Sequence, residues 1–136
     1  MLTVTELANR GGATPHAVRY YTRMGLLRPE RNPCNGYRLY EYRDVSWLRF
    51  IRQAKRLGYT LNEIREILHD LDQGQSPCQR VRETLLRRID ENGRKLEEMK
   101  ALQVRMEQAR KQWAGMSNDA PGGHSVCQLI ELFTEI

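Results

Sequence analysis

Apolar positions in the first half of the chain recur at helical spacing in short blocks, each bounded by a start or stop signal. Thr3-Val4-Thr5-Glu6 reads as a capping box, Thr3 at the N-cap and Glu6 three residues on, and Gly11-Gly12 ends the helix it opens. Thr14-Pro15 opens another at once, carried by Ala17, Val18, Tyr21 and Met24 and stopped at Gly25. Two short helices joined by a glycine turn predict a helix-turn-helix. After Leu26-Leu27 the run from Arg28 to Gly36 is rich in turn residues, and Asn35-Gly36 is a strong hairpin signal. Tyr37-Arg38-Leu39-Tyr40 then alternates as a strand does, so the segment predicts a small wing. A third helix is expected from about Asp44 to Leu57, with Trp47, Leu48, Ile51 and Ala54 on one face and Gly58 as its stop. Thr60-Leu61-Asn62-Glu63 is a second capping box, opening a fourth helix with Ile64, Ile67, Leu68 and Leu71 apolar; Asp72-Gln73-Gly74-Gln75 breaks it.

Ser76-Pro77 starts the longest helix, Ser76 as N-cap and Pro77 at the first helical position, and no further proline interrupts it to about Trp113. At ~1.5 Å per residue it spans roughly 55 Å. Its apolar residues fit a heptad with Leu85, Asn92, Met99, Met106 and Trp113 at a and Ile89, Leu96, Gln103 and Arg110 at d. A helix this long exceeds what a small domain needs, so its stripe is expected to bury against a second copy, with the polar seam residues fixing register. A polar loop from Gly115 to Gly123 follows, and Val126, Leu129, Ile130, Leu132, Phe133 and Ile136 predict a short amphipathic helix at the end. The expected fold is mainly α. A winged helix-turn-helix occupies 1–72, a hinge 73–77, an antiparallel coiled-coil dimerisation helix 78–114, and a loop and C-terminal helix 115–136.

Charge sharpens this division. Residues 1–60 carry 11 Lys/Arg against 4 Asp/Glu, and residues 61–136 carry 11 against 13, so the net +5 is +7 followed by −2. A basic first half joined to a near-neutral second half points to a nucleic-acid-binding module with a partner or sensing module behind it. At 136 residues the chain is one modest domain or a small domain with an appendage. No apolar run reaches the ~18 residues a membrane span needs, and the first residues have no signal pattern, so a cytoplasmic protein is expected. Three cysteines without an export signal argue against a disulfide framework. No GxSxG, P-loop, HExxH or CxxC occurs, so no enzyme is expected.

Cations and aromatic hydroxyls interleave in three places. Arg19, Tyr20 and Tyr21 follow Thr14 and His16 on the second helix, Tyr37, Arg38 and Tyr40 lie in the wing, and Lys55 and Arg56 end the third helix. Arg reaches phosphate or guanine, and Tyr O–H donates to phosphate. Thr14, His16, Arg19, Tyr20, Tyr37, Arg38, Tyr40, Lys55 and Arg56 are therefore the candidate DNA contacts, with Tyr21 divided between this role and the core. Cys78 follows Pro77 at the start of the long helix. With Ser125 as N-cap, Cys127 falls in the first turn of the last helix, three residues after His124. Free N–H groups at helix starts attract an anionic thiolate, and two thiolates with an imidazole suit a soft or borderline divalent metal such as zinc. Cys34 stands alone in the wing turn and reads as an incidental thiol.

Three stretches resemble the MerR family, the mercury-resistance-type transcription regulators: Val18-Arg19-Tyr20-Tyr21-Thr22-Arg23-Met24-Gly25-Leu26-Leu27, Asn35-Gly36-Tyr37-Arg38-Leu39-Tyr40, and Ala54-Lys55-Arg56-Leu57-Gly58-Tyr59-Thr60-Leu61-Asn62-Glu63-Ile64. With the long helix and short tail, the resemblance covers essentially the whole chain. It implies a homodimer on double-stranded promoter DNA with RNA polymerase as partner. It also implies an effector that changes how the DNA is bent and untwisted, turning repression into activation. Cys78 stands where the family's divalent-ion sensors carry cysteine, and Cys127 resembles their distal loop cysteine, the two ligands coming from different subunits. The resemblance thus implies a metal site of Cys78, Cys127 and His124, zinc first and cadmium, lead or mercury as alternatives. The chain departs from the family at Ser117 and Asn118, where further loop cysteines are usual, which leaves Asp119 as another possible ligand. A thiol-based redox or electrophile sensor on the same scaffold is the alternative reading. The short tail argues against an organic-ligand sensor, and one tail cysteine against an iron–sulfur cluster.

Overall fold

The computed structural model describes residues 1–118 and 122–136, which form two compact units, Met1–Arg88 and Ile89–Ile136. In the first unit, α1 (Val4–Gly11) and α2 (Pro15–Arg23) start where the caps predict. Thr3 Oγ1 accepts from the Glu6 N–H at 3.2 Å while Glu6 reaches back to the Thr3 N–H, and Thr14 Oγ1 accepts from the Ala17 N–H at 3.1 Å. Gly12 takes φ +69°, a left-handed conformation that closes α1 and turns the chain into α2. Gly11 has a different constraint: a Cβ there would sit 2.4 Å from Leu48 Cδ2, so α1 approaches the next helix through a residue without a side chain.

The wing is a hairpin of β1 (Glu30–Arg31) and β2 (Arg38–Leu39), antiparallel, with Arg31 opposite Arg38. Asn32 and Asn35 side chains accept backbone N–H groups two residues on, and Gly36 takes φ +72°, so the predicted turn chemistry builds the loop. α3 (Arg43–Arg56) and α4 (Leu61–Asp72) lie within a residue of their expected bounds, and the Thr60–Glu63 capping box is complete. The core gathers Leu2, Leu7, Val18, Leu26, Leu27, Leu48, Ile51, Ile64 and Ile67, every one nearly or wholly buried. Trp47 and Tyr21 pack partly buried against it.

α5 (Cys78–Trp113) is continuous for 36 residues. Its residues 78–88 belong to the first unit: Val81 and Leu85 pack on the core, the Tyr59 hydroxyl donates to the Val81 carbonyl at 2.7 Å, and Arg80 binds Asp70 at 2.6 Å and Glu66 at 3.2 Å. In the second unit the tail lies on residues 105–113. Trp113 Nε1 donates to the Leu129 carbonyl at 2.6 Å, Gln112 exchanges two bonds with the Thr134 backbone, and Arg105 pairs with Glu135. The tail corrects one expectation. α6 (Gln128–Glu131) has only four residues, and beyond it the Gln108 and Gln112 side chains take the backbone N–H groups of Ile136 and Thr134. Ile89, Leu96, Met99, Val104 and Met106 are exposed along α5. Of the heptad's terminal positions, Leu85 is used by the first unit's core and Trp113 by the tail. No helix among the described residues is long and apolar enough to cross a membrane.

Candidate nucleic-acid interface and thiol positions

The eleven basic residues of 1–60 fall into two groups. Arg49 and Arg52, on α3, donate to the carbonyls of Arg10 and Gly11, satisfying the C-terminus of α1, where a cation also opposes the helix dipole. Arg43 pairs with Glu41 and Asp72 and stacks on Trp47, while Arg10 lies over Tyr42. These four hold the fold. Arg19, Arg23, Arg28, Arg31, Arg38, Lys55 and Arg56 form no ion pair among the described residues.

Arg19 from α2 meets the wing in a groove of about 660 Å³, lined by Thr3, Val4, Thr5, Arg19, Arg31, Gly36, Tyr37 and Arg38. Three guanidinium groups therefore face one groove beside the start of α1, with Tyr37, 72 % exposed, at its rim. Such an arrangement attracts polyanion and offers donors to phosphate oxygens. Arg31 was not among the expected contacts. It sits in a run read as turn, although the hairpin signal at Asn35-Gly36, counted outward, sets it opposite Arg38. Its Nη1 also donates to the Gly36 carbonyl at 3.1 Å, which stiffens the loop.

His16 and Tyr20 are exposed on α2, with the Arg23 guanidinium over the Tyr20 ring. Thr14 is exposed, its hydroxyl committed to the cap. Lys55 and Arg56 are exposed in the last turn of α3. Tyr40 is a correction. It is wholly buried, its hydroxyl 2.7 Å from Thr22 Oγ1, and Thr22 spends its own proton on the Val18 carbonyl. Strand alternation placed it with Arg38, but β2 stops at Leu39 and Tyr40 bridges to Leu2, which turns its ring into the core. Tyr40 therefore ties the wing to α2 and is not a DNA contact.

Cys78 is the first residue of α5, exposed, its N–H donating weakly to Ser76 Oγ at 3.4 Å. It belongs to the first unit, whereas His124 and Cys127 belong to the second. Cys127 is itself the N-cap of α6, not a first-turn residue behind Ser125. Its N–H donates to Glu131 Oε2 at 3.1 Å, so a carboxylate occupies the donor that a thiolate would otherwise use. His124 is exposed and Cys127 half-buried. No group of three potential metal ligands forms among the described residues, and Asp119 lies outside them.

The family described as MerR HTH family regulatory protein matches residues 2–71, and one described as MerR, DNA binding matches residues 45–109. The mercuric resistance operon regulatory protein of Bacillus cereus is 36% identical over 101 residues, 74% of this chain and 76% of that protein. The transcriptional regulator ZntR of Escherichia coli K12 is 29% identical over 132 residues, 96% of this chain and 91% of that protein. Among solved structures, the regulator PbrR691 of Ralstonia metallidurans CH34 in complex with lead(II) matches with TM-score 0.73 and 27% identity, over 97% of this chain and 99% of that one.

Proposed function

Because the chain belongs to the MerR helix-turn-helix family of regulatory proteins, DNA-binding regulators and not enzymes, we propose that it is a dimeric, metal-responsive transcription regulator acting on promoter DNA together with RNA polymerase. The observation that carries the DNA-binding part is the groove where Arg19, Arg31 and Arg38 converge beside Tyr37, supported by Lys55 and Arg56 at the end of α3. Thr14, His16 and Tyr20 complete the contact surface on α2. Two copies join through the exposed stripe of α5, Ile89, Leu96, Met99 and Met106, which supplies apolar area for a partner helix. Effector binding then favours one of two dimer states and bends and untwists the operator, the protein contacts supplying a few kcal/mol of DNA deformation.

The effector is a divalent soft or borderline ion, zinc first, with cadmium, lead and mercury as the alternatives. Support comes from the named relatives, a mercuric resistance regulator and a lead(II)-bound regulator, and from the donor set. Cys78 of one copy with Cys127 and His124 of the other would supply two sulfurs and one nitrogen, a set that fits these ions. Ser117 and Asn118 stand at positions where further thiols are usual, so the site has few sulfurs. Titrating zinc, cadmium, mercury and lead salts into reduced protein should give sulfur-to-metal charge-transfer absorption with mercury, cadmium or lead, and binding tighter than micromolar that Cys78→Ser abolishes. Unchanged binding in Cys78→Ser overturns the site. If oxidant alone alters promoter output, the thiol-redox reading takes its place.

A further inference from the structure

The chain contains the same motif twice, and the two copies differ in a way that capping does not require. In the first capping box Glu6 is exposed, its carboxylate 3.4 Å from the Thr3 N–H, and it forms no ion pair among the described residues. In the second, Glu63 is 13% exposed at its side chain. Its Oε1 accepts the Thr60 N–H at 2.8 Å and also the Arg88 guanidinium at 2.5 Å, while Oε2 accepts Arg87 at 2.7 Å. A capping box needs one oxygen and no charge. Glu63 supplies two oxygens and a charge, and the excess goes entirely to residues of α5.

The neighbouring groups point the same way. Tyr59, buried in the corner between α3 and α4, donates its hydroxyl to the Val81 carbonyl of α5. That corner follows Lys55 and Arg56 directly, turned by Gly58 at φ +87°. At the other end of α4, Arg80 binds Asp70 and Glu66. Burial disfavours the Glu63 carboxylate, but the Thr60 amide and the Arg88 guanidinium outweigh it and hold the carboxyl below its usual range.

We infer that Glu63 is a positioning residue that couples the start of α5 to the basic corner at Lys55 and Arg56, so that a displacement of α5 is felt at a DNA-contacting surface. The inference rests on the DNA-binding role proposed for that corner. Arg87 and Arg88 reach Glu63 from one turn of α5, so a shift of that turn pulls on the residue that starts α4, and through Tyr59 on the corner before it. The first capping box, with no such tie, is the internal control.

Hydrogen exchange on the full-length protein tests this, free and bound to a duplex selected from random-sequence DNA. In the wild type, DNA should slow exchange both in 55–60 and in 78–88. In Glu63→Gln, which keeps the cap oxygen, DNA should still protect 55–60, while protection of 78–88 falls about fivefold and affinity changes less than about threefold. Arg87→Gln/Arg88→Gln, with the capping box whole, should reproduce this, and Glu6→Gln should behave as wild type. Wild-type protection of 78–88 in Glu63→Gln, or its retention in the double arginine variant, overturns the coupling. If the wild type selects no DNA, the DNA-binding proposal fails by itself. The clamp is then judged in the free protein, where 78–88 must exchange faster in Glu63→Gln than in Glu6→Gln.

Discussion

In Met1–Arg88 the apolar faces of four helices and the base of the wing meet in one cluster, with Leu7, Val18, Leu48, Ile51 and Ile64 wholly buried. In Ile89–Ile136 the tail covers the last turns of α5, but Ile89, Leu96, Met99 and Met106 lie open, Leu96 61% exposed. The ionic groups divide the same way. In the first unit the largely shielded carboxylates of Asp70 and Glu63 tie α4 to α5, whereas in the second Glu97 with Lys100 and Glu107 with Arg110 are exposed pairs along one helix. The first unit has the side chains to close its own core, and the second has the pattern of an element that needs a partner. Stability and assembly should therefore respond to different substitutions.

The largest effect should come from the closed unit. Leu48→Ala, at the point where Gly11 lets α1 press on α3, should cost about 3 kcal/mol in urea unfolding. A loss below about 1 kcal/mol would mean that the contact collapses freely and the core is loosely closed. Leu96→Asp probes the open unit. It should weaken self-association about a hundredfold, about 2.7 kcal/mol, in sedimentation velocity. The unfolding of the first unit should stay within about 0.5 kcal/mol. Sedimentation identical to the wild type would remove the α5 stripe as the interface.

Smaller effects separate DNA contact from fold within the wing. Arg38→Ala should lower DNA affinity about tenfold and make the salt dependence shallower by about one unit of log–log slope. Tyr40→Phe should leave that slope alone and cost about 1 kcal/mol of stability through the lost bond to Thr22. Equal salt slopes for Arg38→Ala and wild type would place Arg38 outside the interface.

The smallest effect is the dependence on pH. The Arg80 guanidinium holds Asp70 below the usual carboxylate range, as Arg88 and Thr60 hold Glu63. The unfolded chain therefore binds these protons first as acid is added. The stability they give is present above about pH 4, the ordinary carboxylate pKa, and drains away as pH falls through the lower folded values. Asp44, raised by burial, acts in the opposite sense. The melting temperature should fall more steeply from pH 5 to pH 3 in the wild type than in Glu63→Gln, and parallel curves would contradict the shift at Glu63.

Most of the fold was legible because its boundaries are written locally. Both capping boxes, Thr14-Pro15, the glycine stops and Asn35-Gly36 work over a few residues, and each sits where it was expected. What escaped depends on distant partners. The net charge of the first half counts Arg49 and Arg52 with the rest, yet both cap α1, about forty positions earlier in the chain. Tyr40 kept the parity of a strand in the sequence but not in space, because its bridge to Leu2 ends the hairpin. The tail reads as an amphipathic helix, yet Gln108 and Gln112 compete for its backbone. The thiol site is the least legible, since Cys78 and Cys127 are far apart in sequence and nothing local dictates how they would meet.

The hydroxyl bond between Tyr40 and Thr22 gives up one DNA contact and yields something else. It bolts the wing to the helix that carries Arg19 and Tyr20, so their separation is set by the protein before any duplex arrives. If the wing and α2 make the DNA contacts proposed above, two contacts at a fixed gap would behave as a caliper, accepting a duplex whose groove width and twist match the jaws and rejecting others by the work of deforming them, so that a sequence would be tested for its mechanics at bases that no side chain touches.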